Sequence, residues 1–142
     1  MPKVIRVLFL CTHNSARSQM AEGLLRWFDD TDFRVFSAGT AATHVRSEAI
    51  NVMRELEIDI SNQTSKTLDR FVEQHFDYVI TVCDNVNEVC PIFPNAKERI
   101  HWSIDDPSSI EGALADRLSS FRRARDDLQL RIETLFSQTN EP

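Results

Sequence analysis

Short apolar runs alternate along the chain with longer stretches in which apolar residues recur every three or four positions. Residues 4–10, Val-Ile-Arg-Val-Leu-Phe-Leu, form a nearly continuous β-branched and aliphatic run with one charge. That pattern predicts a strand covered on both faces, as in a parallel sheet, ending at Cys11. From about position 15 the rhythm becomes helical, with Met20, Leu24, Trp27 and Phe28 on one face and Asp29-Asp30 closing it. A second strand is predicted over 33–37, stopped by Ala38-Gly39, and a helix over 47–56 that starts near Arg46 or Ser47 and carries Ile50, Met53 and Leu56. Leu68, Phe71 and Val72 share a helical face, which predicts a helix over 65–76. Strands follow over 78–82 and 100–104. The last and longest helix carries Leu114, Leu118, Phe121, Arg125, Leu128, Ile132 and Leu135, a stripe that only Arg125 interrupts, by snorkelling or by pairing with an acid.

Strands alternating with helices at this spacing imply βαβ units. The expected fold is therefore α/β: a four-stranded parallel sheet with right-handed crossovers and helices on both faces. Ligands of such sheets bind beyond the carboxyl ends of the strands. Cys11 follows the first strand, Cys83 the third, and the Asp105-Asp106-Pro107 turn the fourth, so three chemical groups collect at one edge.

Composition narrows the function. With 142 residues, 42% apolar and 27% charged, the chain reads as one folded domain over 1–142. Its 22 acids against 16 bases, net charge -6, oppose general binding to nucleic acid or anionic membrane, so any anion must be held by a local site. The apolar N-terminal run is short, interrupted by Arg6 and followed by no small-residue cleavage site, and no run of about 18 apolar residues occurs, so a cytoplasmic location is expected. Three cysteines, an odd number, argue against a permanent disulfide framework. Only 3 glycines are present, too few for the glycine-rich phosphate loops of nucleotide enzymes.

Cys11-Thr12-His13-Asn14-Ser15-Ala16-Arg17-Ser18 fits Cys-x5-Arg-Ser between a strand and a helix. Such a loop turns successive backbone N–H groups into one concavity, and the helix N-terminus adds a positive partial charge. Thr12, His13, Asn14, Ser15, Ala16 and Arg17 thus form a candidate oxyanion cradle, and the same field with Arg17 and the Ser18 hydroxyl favours a nucleophilic thiolate at Cys11. A buried cysteine beside an exposed arginine is the plain alternative. Cys83 and Cys90 lie seven residues apart, about 10 Å on a regular helix, whereas a disulfide needs Cα atoms within about 6.8 Å. Joining them requires the polar segment between them to unwind; its two valines and two asparagines and the following Pro91 make a helix there cheap to lose. A zinc site from Cys83, Cys90 and His101 lacks the usual short Cys-x2–4-Cys spacing.

These residues resemble the thioredoxin-coupled arsenate reductases, which share their fold with low molecular weight protein tyrosine phosphatases. The resemblance spans the chain: 11–22 (CTHNSARSQMAE), Ser37-Ala38-Gly39, Asp59-Ile60-Ser61, Thr81-Val82-Cys83, Cys90-Pro91, and His101-Trp102 with Asp105-Asp106-Pro107. It implies that Cys11 attacks arsenic, Arg17 clamps the oxyanion, Ser18 holds the thiolate and Asp106 protonates the leaving oxygen, with Asp105 its neighbouring rival. Asn14 matches a residue that holds the loop in its binding shape. The resemblance further implies a relay from Cys11 to Cys83 to Cys90, arsenate as substrate with phosphate or sulfate as competing oxyanions, thioredoxin as reductant, no cofactor or metal in the chemistry, and a monomer. Phosphatases of this fold usually place an aromatic residue just after Asp-Pro; here Ser108-Ser109 follows, which favours reduction and leaves room for a weak phosphatase side activity. An oxyanion sensor without turnover is the non-enzymatic alternative, against which the full set of nucleophile, acid and relay cysteines argues. His13 and Ala16 stand where relatives often carry glycine and a fourth cysteine; His13 is expected to point to solvent. Some relatives bind potassium beside the loop; Asn14, Glu22 and Ser37 match that set, but Lys66 occupies the fourth position, and its ammonium is expected to replace the ion.

Overall fold

The computed structural model describes residues 4–84 and 91–139; the predicted relay partner Cys90 lies outside the described residues. Four strands, β1 (Ile5–Cys11), β2 (Phe33–Gly39), β3 (Phe76–Thr81) and β4 (Ala96–His101), form one sheet in the order β2-β1-β3-β4. All three pairings are parallel, and Cys11 stands opposite Gly39 at the carboxyl end of the β1/β2 ladder. The helices are α1 (Arg17–Phe28), α2 (Ser47–Arg54) and α3 (Leu114–Thr139).

Alternation along β1 divides the core. Val7, Phe9 and Cys11 join α1, α2 and α3 in one cluster, with Met20, Leu24, Val52, Met53, Phe121, Leu128 and Phe136 fully or almost fully buried. Leu8 and Leu10 point to the opposite face, where they cluster with Val79 and with Phe71, Phe76 and Phe93, whose rings meet edge to face. Both faces of β1 are therefore dry, as its unbroken apolar run required. Among the described residues, the second face is covered by a single 3-10 turn, Leu68–Phe71, and the chain around Phe93.

The structure corrects several sequence expectations. The helix expected over 65–76 shrinks to that 3-10 turn, because the preceding backbone is drawn into long-range bonds: Gly39 N donates to Lys66 O at 2.9 Å, and Gly39 bridges Thr67. The fourth strand covers Ala96–His101 rather than 100–104. It is an edge strand whose Lys97, Glu98 and Arg99 are exposed, so it lacks the apolar signature of a covered strand. Trp27 and Leu114 were placed on apolar stripes, yet they are 61% and 53% exposed.

Arg125, by contrast, pairs as expected. Its guanidinium is buried at the α2/α3 contact, donating to Val52 O at 2.7 Å and to Glu55 Oε1 at 2.8 Å, while Arg122 grips the same carboxylate through both its Nε and Nη2. Hydrogen bonds from Arg122, and after them those from Arg125, outweigh partial desolvation and bring the Glu55 carboxyl from 4.5 to about 2. A depressed carboxyl contributes its stability above its unfolded value and loses it as pH falls toward the folded one. Glu55→Gln is therefore expected to cost about 1 kcal/mol at pH 7, limited by solvent screening of this half-exposed group. In urea unfolding the gap to wild type closes as pH falls from 4.5 to 2; a gap independent of pH would show that the pairing of Glu55 with Arg122 and Arg125 does not supply this stability.

Candidate active site

The loop between β1 and α1 is shaped from outside. Thr12 O accepts from Ala41 N and Thr40 Oγ1, each at 3.0 Å, His13 O from Ser65 Oγ at 3.1 Å, Asn14 O from Gln19 Nε2 at 3.0 Å, and Ser15 O from Arg46 N at 2.9 Å. Four successive carbonyls are thus tied outward. In a trans peptide the carbonyl and the following N–H point opposite ways, so the N–H groups of residues 13 to 16 face the concave side. The α1 N-terminus continues this polarity: Ala16 at its N-cap supplies no side-chain bond, and the first turn carries no acid. A positive helix end and a row of inward N–H groups form a cradle for an anion.

Asn14 sets the loop's turn. It is fully buried and adopts φ 50, a left-handed conformation that asparagine tolerates better than most residues. Its Oδ1 accepts from Gln19 Nε2 at 2.9 Å and from Lys66 N at 2.8 Å; its Nδ2 donates to Ser18 Oγ at 2.8 Å and Ser37 Oγ at 3.0 Å. All four hydrogen-bonding positions of the amide are used. Ser18 Oγ, which accepts from Asn14, also lies 2.8 Å from the Cys11 sulfur, a pair in which either atom can donate. Ser37 in turn donates to Glu22 Oε1 at 2.6 Å.

Cys11 is 2% exposed beneath this cradle. Arg17, also buried, donates from Nη1 to Ile104 O at 3.0 Å, and its Nη2 lies 3.9 Å from Asp106 Oδ2. The pocket over Cys11 is lined by His13, Ser15, Ala16, Arg17, Asp106 and Ser108. Asp105 does not line it; it faces a larger neighbouring cleft of about 790 Å³ together with Asp84 and Asp127, a cleft that Asp106 borders as well. Asp106 thus stands at the boundary of both cavities, and of the two acids of the turn it is the one that reaches the pocket over Cys11. His13, expected to point to solvent, is exposed as a residue yet borders the pocket. Cys83 is fully buried in the same apolar cluster as Cys11, with its sulfur 4.0 Å from Leu10 O.

Lys66 lies beside this network. Its Nζ donates to Thr64 O at 2.5 Å and sits 4.0 Å from Glu22 Oε1, which also pairs through its carboxylate with Arg26 at 2.9 Å. Burial lowers the Lys66 ammonium's pKa, with Glu22 opposing the shift. Two residues of the site went unmarked in the sequence. Gln19, fully buried, ties Asn14 to Thr64 O and is itself gripped by Gln63; the clue was a polar residue on the inner face of α1. Ser108 was read only as a missing aromatic, whereas its hydroxyl bonds Asp106.

Gly39 makes the close approach of β2 to the loop possible. A Cβ there would lie 2.7 Å from Thr12 O, 2.8 Å from Asn14 N and 2.9 Å from Cys11 O, all backbone atoms of the cradle. Gly39→Ala is expected to cost about 1–3 kcal/mol in stability and to abolish phosphate binding measured by calorimetry. Undiminished phosphate affinity would show that the loop's shape does not depend on this contact.

Comparison with known proteins agrees with this architecture. The family model described as Low molecular weight phosphotyrosine protein phosphatase matches residues 6–142. An arsenate reductase of Halalkalibacterium halodurans is 44% identical over 135 residues, covering 95% of this chain and 96% of that protein. A solved arsenate reductase in its phosphate-binding state superposes with a TM-score of 0.81 at 32% identity, covering 95% of this chain and 98% of the other. A thioredoxin-dependent arsenate reductase of Corynebacterium glutamicum superposes with a TM-score of 0.63 at 28% identity, covering 93% of this chain and 63% of that one. With the strand, loop and helix that carry Cys11 and Arg17 inside the matched region, the chain belongs to the low molecular weight phosphotyrosine protein phosphatase family.

Proposed function

We propose that the protein reduces arsenate to arsenite through a thiol relay whose final disulfide is reduced by thioredoxin, a cytoplasmic detoxification activity. The observation that carries this reading is a second buried cysteine, Cys83, in the same apolar cluster as Cys11, its sulfur 4.0 Å from the carbonyl oxygen of Leu10, the residue before Cys11. A simple phosphatase has no use for it. Similarity to arsenate reductases over nearly the whole chain supports the substrate, and the thioredoxin-dependent neighbour supports the reductant.

In the first step the cradle of residues 12 to 17 and the Arg17 guanidinium hold arsenate, and the Cys11 thiolate attacks arsenic. Asp106 gives its proton to the departing oxygen, so water leaves and a Cys11 sulfur–arsenic bond forms. The Cys83 thiolate then attacks the Cys11 sulfur. The sulfur–arsenic bond breaks with its electron pair going to arsenic, which leaves as arsenite, and Cys11–Cys83 forms. Cys90 attacks Cys83, the Cys11 thiolate is released, and the oxidation resides in Cys83–Cys90. A dithiol of thioredoxin reduces that bond. The Ser18 hydroxyl lies 2.8 Å from the Cys11 sulfur, within hydrogen-bond reach of the attacking atom. The short Ser108 side chain at the pocket wall offers no ring for a phenol to stack on, which agrees with a small inorganic substrate and at most weak phosphatase activity.

The deciding experiment is arsenate-dependent NADPH oxidation with thioredoxin and thioredoxin reductase. Wild type is expected to turn over; Cys11→Ser, Cys83→Ser and Cys90→Ser are expected to lose turnover. If arsenate draws no electrons while an aryl phosphate is hydrolysed by all but the Cys11 variant, the protein is a phosphatase. A second expectation concerns the cation: with the Lys66 ammonium beside Glu22 in place of an ion, turnover is the same in potassium and sodium chloride at equal ionic strength. Strong stimulation by potassium would overturn that role for Lys66.

A further inference from the structure

Asp106 ends an extended stretch and opens the short 3-10 turn Pro107–Ser109, so its surroundings are set by the next three residues. Pro107 is buried and has no N–H to offer. The first donors after it belong to Ser108, and both reach the same oxygen: Ser108 N donates to Asp106 Oδ1 at 2.9 Å, and Ser108 Oγ to Asp106 Oδ1 at 2.6 Å. Ser109 fixes the backbone of the acid, donating from Oγ to Asp106 O at 2.8 Å. The other carboxyl oxygen, Oδ2, is the one turned toward Arg17.

A carboxyl group has two chemically equivalent oxygens, but a general acid must present its proton from the one that faces the leaving atom. A backbone N–H alone tolerates rotation of the carboxyl about its last torsion, which is broad and two-fold. A second donor on the same oxygen, from a hydroxyl that also lines the pocket, resists that exchange. With Oδ1 already accepting two hydrogen bonds, the proton of the neutral acid belongs on Oδ2.

We propose that Ser108 is a positioning residue for the acid step: its hydroxyl selects the Asp106 carboxyl oxygen that donates the proton to the departing arsenate oxygen. This rests on the reading of Asp106 as the general acid. The role is separable from the turn itself, because alanine at 108 keeps the N–H bond to Oδ1 and removes only the hydroxyl, and separable from anion binding, which the loop and Arg17 supply.

The experiment is single-turnover arsenite release from prereduced enzyme, which precedes the thioredoxin step, for wild type, Ser108→Ala, Ser108→Thr, Asp106→Asn and the Asp106→Asn/Ser108→Ala pair. Ser108→Ala is expected to slow release about tenfold at saturating arsenate with half-saturation unchanged. Ser108→Thr restores the rate by returning the hydroxyl, and Ser108→Ala is silent in the Asp106→Asn background. A Ser108→Ala rate equal to wild type overturns the proposal. So does a loss confined to half-saturation, or one of the same size in the Asp106→Asn background, since either would put the hydroxyl on the anion or the fold instead of the acid. Full activity of Asp106→Asn would show instead that the acid is misassigned, and a wild type that releases no arsenite would refute the activity and this role together.

Discussion

The saturated amide of Asn14 is the constraint on which the site depends. Its left-handed backbone reverses the loop, while its side chain joins that reversal to α1 through Ser18 and Gln19, to β2 through Ser37, and to the segment after α2 through the Lys66 backbone. Each bond is buried or partly buried, so leaving any one unmade would cost the desolvation of its partner. Such a network is satisfied in one arrangement, and that arrangement also holds the Ser18 hydroxyl 2.8 Å from the Cys11 sulfur. Loop shape and the polarity around the nucleophile are therefore one structural fact.

The cradle is stiff because its outward carbonyls are tied to partners far apart in sequence. Thr40 and Ala41 follow β2, Arg46 caps α2, Ser65 lies ahead of the 3-10 turn, and Gln19 belongs to α1. Oriented dipoles are most effective where they need no rearrangement, and a loop held in this way meets that condition for the proposed anion. Gly39 permits this convergence, since the end of β2 must approach the loop more closely than a side chain allows.

What the sequence made legible followed from chemistry contained in one contiguous stretch. The apolar run ending at Cys11, the Cys-x5-Arg-Ser spacing and the helix after it need no distant partner to be recognised, and β1 and α1 appear within a residue or two of expectation. Residues 65–76 misled because their local periodicity competes with bonds to Asn14 and Gly39, partners whose positions only the fold determines. The edge strand β4 misled for the opposite reason: with one open flank it needs few apolar residues, so its charged stretch carried no strand signal and the strand was expected at 100–104. Gln19 and Ser108 were illegible as site residues because their significance lies in which atom they bond, Asn14 Oδ1 in one case and Asp106 Oδ1 in the other, and residue type alone does not reveal that.

In an acidic chain, a site proposed to hold an anion requires that nearby carboxylates be engaged elsewhere, and the arrangement around the loop does this. Glu22, the buried acid behind Asn14, accepts a bond from Ser37, pairs with Arg26 and lies beside the Lys66 ammonium, so two cations offset its charge on the side away from the pocket. Glu48 and Glu55, farther off, are engaged by arginines of α3 and, for Glu48, by Arg46 as well. Asp105 faces the neighbouring cleft. Asp106 is the acid that lines the anion pocket among the described residues, and there Ser108 occupies one of its oxygens and Arg17 faces the other. Net charge of either sign describes solubility and long-range encounter; binding is decided by which groups are left to face the concavity. Among the described residues, the side chains at the pocket over Cys11 include one guanidinium, Arg17, and one carboxyl, Asp106, whose Oδ1 accepts from Ser108.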